Sequence, residues 1–158
     1  MSIVVKPESS DDLDDPISML DWDANVNPEF AKSNKTKPRP VKALEEMESE
    51  GYRELWITYG TPHYSAKELT LLPKRSVTIK DKSAYGAILT QGHGLIAKRS
   101  ISTPSMIRFG EMTEDEFFVT AAAAEEGVVI ENLSTSDPLV MLKHFGPGNP
   151  DAQPLVRG

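Results

Sequence analysis

The part of the sequence that most restricts the fold is the stretch from Arg53 to Phe145, which is a series of short apolar runs. Each run is about five to eight residues long, and turn residues divide the runs at Gly60–Pro62, Gln91–Gly94 and Ser136–Pro138. Many short strands at this spacing are typical of a β-sandwich or a β-barrel. The sequence therefore predicts an all-β fold.

Two short segments have a helical pattern instead. Residues 41–51 place Val41, Leu44 and Met47 on one face, and Gly51 is well placed to end the helix. The second segment is TAAAAEEG, in which four alanines and two glutamates lie between two capping residues. We therefore expect two short helices beside the strands.

The acidic residues are unevenly distributed along the chain. Residues 1–30 hold eight acidic residues and one lysine, so they account for the whole net charge of −7, and the charges of the rest cancel. Residues 1–40 are also polar and interrupted by proline. The predicted organisation is an arm at 1–40, a helix at 41–51, a β-domain at 52–146 and a tail at 147–158.

Composition excludes several functional classes. The chain has no cysteine, which rules out disulfides, thiolate zinc sites and cysteine nucleophiles. No basic face or interleaving of aromatic and basic residues indicates a nucleic-acid partner. No secretory signal and no apolar run long enough to span a bilayer are present. We therefore expect a cytoplasmic protein with neither nucleic acid nor membrane as a partner.

Three motifs occur in a fixed order in the second half of the chain. A strand ends at a proline-led turn in LLPKRSVTIKD, a strand enters a glycine-rich turn in YGAILTQGHGLI, and a late strand follows a loop in IENLSTSDPLVMLKHFG. This order resembles the cupin superfamily, and in particular the cupin domain of class I mannose-6-phosphate isomerase-like proteins. The resemblance covers Trp56 to Phe145 and implies a double-sheet, RmlC-like jelly-roll barrel for residues 52–146.

Metal-binding cupins carry a first motif of one glycine, two histidines, one glutamate and a last glycine. With that last glycine on Gly92, the glutamate position falls on Tyr85. The histidine positions depend on the spacing: they are Ile79 and Asp81 with three residues before the glutamate, or Thr78 and Lys80 with four. The resemblance therefore keeps the glycine of the motif and loses nearly all its ligands.

The second cupin motif supplies one more histidine, four residues before an asparagine. Asn132 matches the asparagine, and the histidine position falls on Val128. A catalytic divalent ion needs about three convergent protein ligands, so no metal cofactor is expected here. In class I mannose-6-phosphate isomerases the catalytic metal lies in another, N-terminal jelly-roll region, so this chain resembles the non-catalytic part or a stand-alone relative.

The three histidines are the alternative source of a zinc site. They are His63, His93 and His144, and their separations match no short ligand motif. His93 lies between two glycines, so we expect it at the tip of a hairpin rather than at a metal.

The resemblance implies a sugar or sugar phosphate as the ligand, held in the mouth of the barrel. Sugar-binding sites combine aromatic rings with a few polar groups. The residues expected to line the mouth are Tyr59, Tyr64, Lys80, Asp81 and Tyr85.

Two other functions remain open at this point. An aldose–ketose isomerase acting on a sugar phosphate needs a general base, for which the candidates are Glu68 and Glu131. Glu68 shares a strand face with Tyr64, and this face is either the outer surface or a polar lining of the barrel. The other alternative is an assembly role, because jelly rolls have exposed sheet edges through which a homodimer can form.

Overall fold

The computed structural model describes residue 17 and residues 20–30, 37–106 and 109–152. Residues 1–16, 18–19 and 31–36 of the predicted arm, and 153–158 of the predicted tail, lie outside the described residues. The chain divides into two compact units, Met1–Thr36 and Lys37–Gly158.

In the first unit, helix α1 spans Trp22–Asn25. Asp21 caps its N-terminus, because the Asp21 carboxylate accepts a hydrogen bond from the Ala24 amide at 2.9 Å. In the second unit, helix α2 spans Leu44–Glu50 and helix α3 spans Ala121–Glu126. No helix among the described residues is long and apolar enough to cross a membrane.

Ten strands in the described part of the second unit form two sheets. They are β1 (Arg39–Pro40), β2 (Tyr52–Thr58), β3 (Ser65–Leu71), β4 (Ser76–Ile79), β5 (Tyr85–Gln91), β6 (His93–Ile96), β7 (Arg99–Ser102), β8 (Glu116–Val119), β9 (Val128–Asn132) and β10 (Leu139–Phe145). The six-stranded sheet has the order β1-β2-β3-β10-β5-β8, and the four-stranded sheet has the order β4-β9-β6-β7. Every pair of neighbouring strands is antiparallel. The predicted all-β, double-sheet jelly-roll fold is confirmed.

The QGHG segment is a corner between the two sheets and not a hairpin. Strand β5 belongs to the six-stranded sheet and β6 to the four-stranded sheet, so the two strands do not pair. Gly92 turns the chain with φ +91°, and a Cβ at this position would lie 2.8 Å from the Pro138 carbonyl oxygen. His93 is the exposed first residue of β6, so the hairpin expected there is wrong.

Both predicted helices are present, but α2 begins at Leu44 and not at residue 41, so Val41 lies outside it. Met47 is fully buried, but Leu44 is 39% exposed. Gly51 ends α2 in the left-handed region at φ +84°, as its position predicted. Thr120 begins α3 and its hydroxyl accepts a hydrogen bond from the Ala123 amide. The short α2 is therefore attached to the barrel mainly through Met47.

The register of the six-stranded sheet aligns charged and aromatic residues across four strands. Arg39 is opposite Trp56, Trp56 is opposite Lys67, and Lys67 is opposite Lys143. Directly opposed residues point to the same face of a sheet. This transverse row, defined as Arg39, Trp56, Lys67 and Lys143, lies on the face that is turned to the barrel interior.

Candidate functional site

Four charged side chains are buried together inside the barrel, and we call them the ion cluster: Glu54, Lys67, Asp81 and Lys143. Each is at most 3% exposed. Lys67 Nζ donates to Asp81 Oδ1 at 2.6 Å, and Lys143 Nζ donates to Asp81 Oδ2 at 2.6 Å. Glu54 Oε1 forms an ion pair with Lys143, and its Oε2 lies 4.0 Å from Lys67 Nζ. Each ammonium group therefore faces both carboxylates, and the four charges sum to zero.

Strand alternation explains why these side chains point inward. In β3, Lys67 has the same orientation as the buried Leu69, and in β10, Lys143 has the same orientation as the buried Met141. In β2, Glu54 lies between two buried aromatic residues at alternate positions. The signal in the sequence is thus a charged residue at a position whose neighbours two residues away are apolar.

Asp81 comes from the opposite sheet, two residues after the end of β4. Its backbone amide donates to the Ala124 carbonyl of α3 at 3.1 Å, which fixes its position above the six-stranded sheet. Burial opposes ionisation of its carboxyl group, but the attraction of Lys143 and Lys67 is greater in sum, so the pKa of Asp81 lies below its usual value. Asp81 is therefore a buried anion that depends on both lysines.

Aromatic rings enclose the ammonium groups of the cluster. Lys67 Nζ lies 4.5 Å from the centre of the Trp56 ring and 5.3 Å from that of Phe145, while Lys143 Nζ lies 5.2 Å from that of Tyr85. Cations at such distances from a ring face are stabilised by its quadrupole. Burial, followed by the negative charges of Asp81 and Glu54, raises the pKa of Tyr85. The tyrosine therefore stays neutral beside the cluster.

The ion cluster adjoins a cavity of about 400 Å³ at the mouth of the barrel. We call it the mouth cavity, and it is lined by Val41, Trp56, Lys67, Lys80, Pro150, Asp151 and Ala152. Asp151 Oδ1 accepts a hydrogen bond from Lys82 Nζ at 2.9 Å, which attaches the end of the described chain to the rim. Lys67 thus belongs both to the buried cluster and to the wall of the cavity.

Two smaller cavities adjoin the mouth cavity through shared lining residues. One of about 80 Å³ is lined by Arg39, Pro40, Val41, Trp56 and Tyr59, and shares Val41 and Trp56 with it. Another of about 210 Å³ contains Tyr64 and Ser65 in its wall and shares Ala152. We call these two smaller cavities the side compartments of the mouth.

The structure distinguishes between the two spacings of the first cupin motif. Ile79, Asp81 and Tyr85 are buried, whereas Thr78 and Lys80 are exposed. The three-residue spacing therefore identifies the inward-facing positions, and Val128 of the second motif is buried as well.

These residues do not fit a divalent metal ion. Asp81 is the only one of the four inward motif positions that carries a carboxylate, and both its oxygens accept hydrogen bonds from lysine ammonium groups. In the part of the chain that the structure describes, no group of three or more His, Asp or Glu side chains is placed to hold a metal. The lone pairs that Asp81 would offer to a metal are therefore occupied by the ammonium groups of Lys67 and Lys143.

The residues expected in the mouth are distributed over four places. Lys80 lines the mouth cavity, Tyr59 lines the compartment beside Arg39, and Tyr64 lines the other compartment. Asp81 belongs to the buried ion cluster, and Tyr85 packs beneath it. The structure thus brings Lys80 and Tyr59 close to one mouth, and adds Arg39, Trp56 and Lys67, which the sequence did not single out.

The other candidate residues lie away from the mouth cavity. Glu68 and Glu131 occupy the strand positions opposite to the buried face of β3 and β9. His63 is exposed in the loop before β3, and His144 covers Gly86 on the outer face of the six-stranded sheet. The structure does not bring the three histidines together.

Asn132 has a structural role that explains its position in the motif. Its side-chain amide donates to the carbonyl oxygens of Leu71 and Asp137, at 2.9 Å each, and its Oδ1 accepts from the Ser134 amide at 2.9 Å. The residue therefore joins β3, β9 and the loop before β10.

Comparison with known proteins gives structural neighbours only. No protein-family model and no curated protein sequence matches the chain. Among solved structures, it is similar to a cupin 2 domain-containing protein from Halorhodospira halophila, with 14% identity over 77% of this chain and 85% of that chain and a TM-score of 0.48. An RmlC-like cupin from Shewanella frigidimarina has 10% identity over 74% and 88%, with a TM-score of 0.46. KdgF from a Halomonas species has 14% identity over 75% and 94%, with a TM-score of 0.45.

Proposed function

We propose that this chain is a metal-free cupin, related to the mannose-6-phosphate isomerase-like proteins, that binds a sugar or sugar phosphate in the mouth cavity. The observation that supports this most is the composition of the wall, in which the Trp56 ring lies 4.5 Å from the Lys67 ammonium group and Lys80 lines the same cavity. An apolar surface with a few convergent polar groups is the usual form of a small-molecule site.

Lys80 is the residue in this wall best suited to contact a ligand. Its side chain is exposed at the rim, and within the described residues it forms no salt bridge. Lys67, by contrast, already donates to Asp81. The ammonium group of Lys80 can therefore donate to the hydroxyl or phosphate oxygens of a ligand without breaking the ion cluster.

Calorimetric titration tests this proposal. We expect heat of binding from at least one member of a panel that contains mannose, glucose and their 6-phosphates. The variant Lys80→Gln should weaken binding about tenfold, since it loses one charge-assisted hydrogen bond. Lys98→Gln is the matched control, because Lys98 is exposed in the turn between β6 and β7. A panel without any binding, or equal loss in both variants, would contradict the proposal.

The geometry supports binding rather than aldose–ketose isomerisation. A general base must reach the proton that it abstracts. Glu68 and Glu131 lie on outward positions of their strands, and the carboxylates of Glu54 and Asp81 are paired with lysines. The carboxylate of Asp151 lines the cavity outside the cluster, but it accepts a hydrogen bond from Lys82. An isomerase would therefore have to break this pair or the ion cluster to obtain a base in the cavity.

We also propose that two copies of the chain associate through the edge of β8. This strand pairs with β5 on one side only, and its Phe118 is 73% exposed. A groove of about 440 Å³ runs beside it and is lined mainly by apolar side chains, with Arg99 and Glu116 among them. In a two-fold interface the same patch meets itself, so Arg99 of each copy can face Glu116 of the other.

Sedimentation of the protein at several concentrations tests the association. We expect a dimer for the unchanged chain and a monomer for Phe118→Glu, which places a charge in the groove. Leu72→Glu is the control, since Leu72 is also exposed but lies in the loop after β3. A monomeric unchanged chain, or a dimer that survives Phe118→Glu, would exclude this interface.

A further inference from the structure

The transverse row ends at Arg39, a half-buried residue of the short edge strand β1. Arg39 lines the compartment of about 80 Å³ together with Pro40, Val41, Trp56 and Tyr59. None of these lining residues carries a carboxylate. The compartment therefore presents a single guanidinium group among apolar and aromatic atoms.

Neighbouring groups hold Arg39 in place. Its guanidinium carbon lies 5.4 Å from the centre of the Tyr59 ring, and the Tyr59 hydroxyl donates to the Lys37 carbonyl at 2.7 Å. The backbone of Arg39 pairs with Trp56 across the two strands. Since both the backbone and the ring are fixed, little side-chain entropy remains to be lost when the guanidinium group binds an anion.

Charge balance distinguishes Arg39 from the other cations of the row. The positive charges of Lys67 and Lys143 are matched by Asp81 and Glu54. Arg39 is half-buried and makes no salt bridge to any residue in the described ranges. A partly desolvated cation without a counter-ion stabilises an anion that enters the same compartment.

We propose that Arg39 forms an anion subsite that binds the phosphate group of a phosphorylated sugar. This inference rests on the proposed sugar-binding function and deepens it. Trp56 and Val41 line both the compartment and the mouth cavity, so one molecule can place its sugar ring in the cavity and its phosphate beside Arg39. The planar guanidinium group can donate two parallel hydrogen bonds to a phosphate. The subsite selects phosphomonoesters over neutral sugars.

The test compares mannose 6-phosphate with mannose in calorimetric titrations of three proteins. The unchanged chain should bind mannose 6-phosphate at least about tenfold more tightly than mannose. Arg39→Gln should remove this preference by weakening the binding of mannose 6-phosphate. Arg53→Gln, which alters an exposed arginine on the outward face of β2, should keep the preference. If the unchanged chain binds mannose, a preference that persists in Arg39→Gln, or one that is absent from the unchanged chain, overturns the subsite.

Titration with inorganic phosphate separates the two proposals. If the unchanged chain binds phosphate but no sugar, and Arg39→Gln does not bind phosphate, the subsite stands and the sugar-binding function fails. If mannose binds and phosphate neither binds alone nor strengthens binding of the sugar, the function stands and the subsite is wrong. Thermal unfolding of Arg39→Gln, with a midpoint close to that of the unchanged chain, verifies that the variant is folded.

Discussion

Lys143 Nζ lies 2.6 Å from Asp81 Oδ2 at the centre of the barrel, although sixty-two residues separate them in sequence. Lys143 belongs to β10 of the six-stranded sheet, and Asp81 follows β4 of the four-stranded sheet. Lys67, which also belongs to the six-stranded sheet, makes the same link to Asp81. The contact therefore connects the two sheets through charge at a place where their backbones do not pair.

Replacement of Asp81 by asparagine should be strongly destabilising. The change leaves two buried ammonium groups with a single carboxylate, and the loss of one partner from a buried ion pair costs about 3–5 kcal/mol. Urea unfolding followed by tryptophan fluorescence measures the difference. The control is Asp151→Asn, which breaks the exposed pair with Lys82 and should cost less than about 1 kcal/mol. Equal losses of unfolding free energy in the two variants would show that the ion cluster does not hold the two sheets together.

Acid should reduce the stability that the cluster provides. The pKa of Asp81 is lowered in the folded chain, so its contribution is complete above the unfolded pKa of about 3.8 and is lost as the pH falls through the lower, folded value. The difference in unfolding free energy between the unchanged chain and Asp81→Asn should therefore be constant near neutral pH and shrink below about pH 4. A difference that is the same at pH 7 and pH 3 would contradict the assignment.

Removal of the Tyr85 hydroxyl should not destabilise the barrel. In the described part of the chain, Tyr85 Oη is one of three buried side-chain atoms without a hydrogen-bond partner. Phenylalanine retains the ring that faces Lys143 and packs on Phe145, with ring centres 5.4 Å apart. We expect Tyr85→Phe to raise the free energy of unfolding by about 1 kcal/mol, since an unpaired buried hydroxyl is costly. A clear loss of stability would mean that this hydroxyl has a buried partner.

Two glycines should respond differently to alanine. A Cβ on Gly94 would overlap the carbonyl oxygen of Glu131, which is backbone of the neighbouring strand β9. The atoms nearest to a Cβ on Gly86 belong to the ring of His144, which can rotate away on the outer face. Thermal unfolding should therefore show a large loss for Gly94→Ala and a small one for Gly86→Ala. The double change Gly86→Ala with His144→Ala should recover most of the smaller loss.

The fold was predictable because its signals are local. Alternating apolar residues and turn residues predicted strands, and Gly51 and Thr120 predicted helix ends that the structure confirms. The sheet partners of each strand were not predictable from such signals, because they depend on contacts between residues far apart in sequence. Gly92 illustrates this. The glycine turn indicated a hairpin between β5 and β6, but β5 pairs with β10 and β8, and β6 belongs to the other sheet.

The candidate site was predictable only where a family motif fixed the register. The motif placed Asp81 and Tyr85 in the barrel, and both are buried. Lys67 and Lys143 were missed because a lysine in a strand ordinarily faces solvent. Lys67 and Lys143 lie two residues from the buried Leu69 and Met141, so strand alternation indicates that both lysines face inward. Their burial is stable only because of the partner carboxylates, which come from parts of the chain distant in sequence.

The ion cluster also restricts how the sequence of this barrel can change over time. The two positive and two negative charges of the cluster cannot be replaced one at a time, because every single replacement by a neutral residue leaves one buried charge without a counter-ion. Replacement must instead proceed in compensating pairs, for example an apolar residue at 67 together with an amide at 81, or through a briefly unstable intermediate. Chains descended from a common ancestor with this one should therefore show correlated changes at positions 54, 67, 81 and 143.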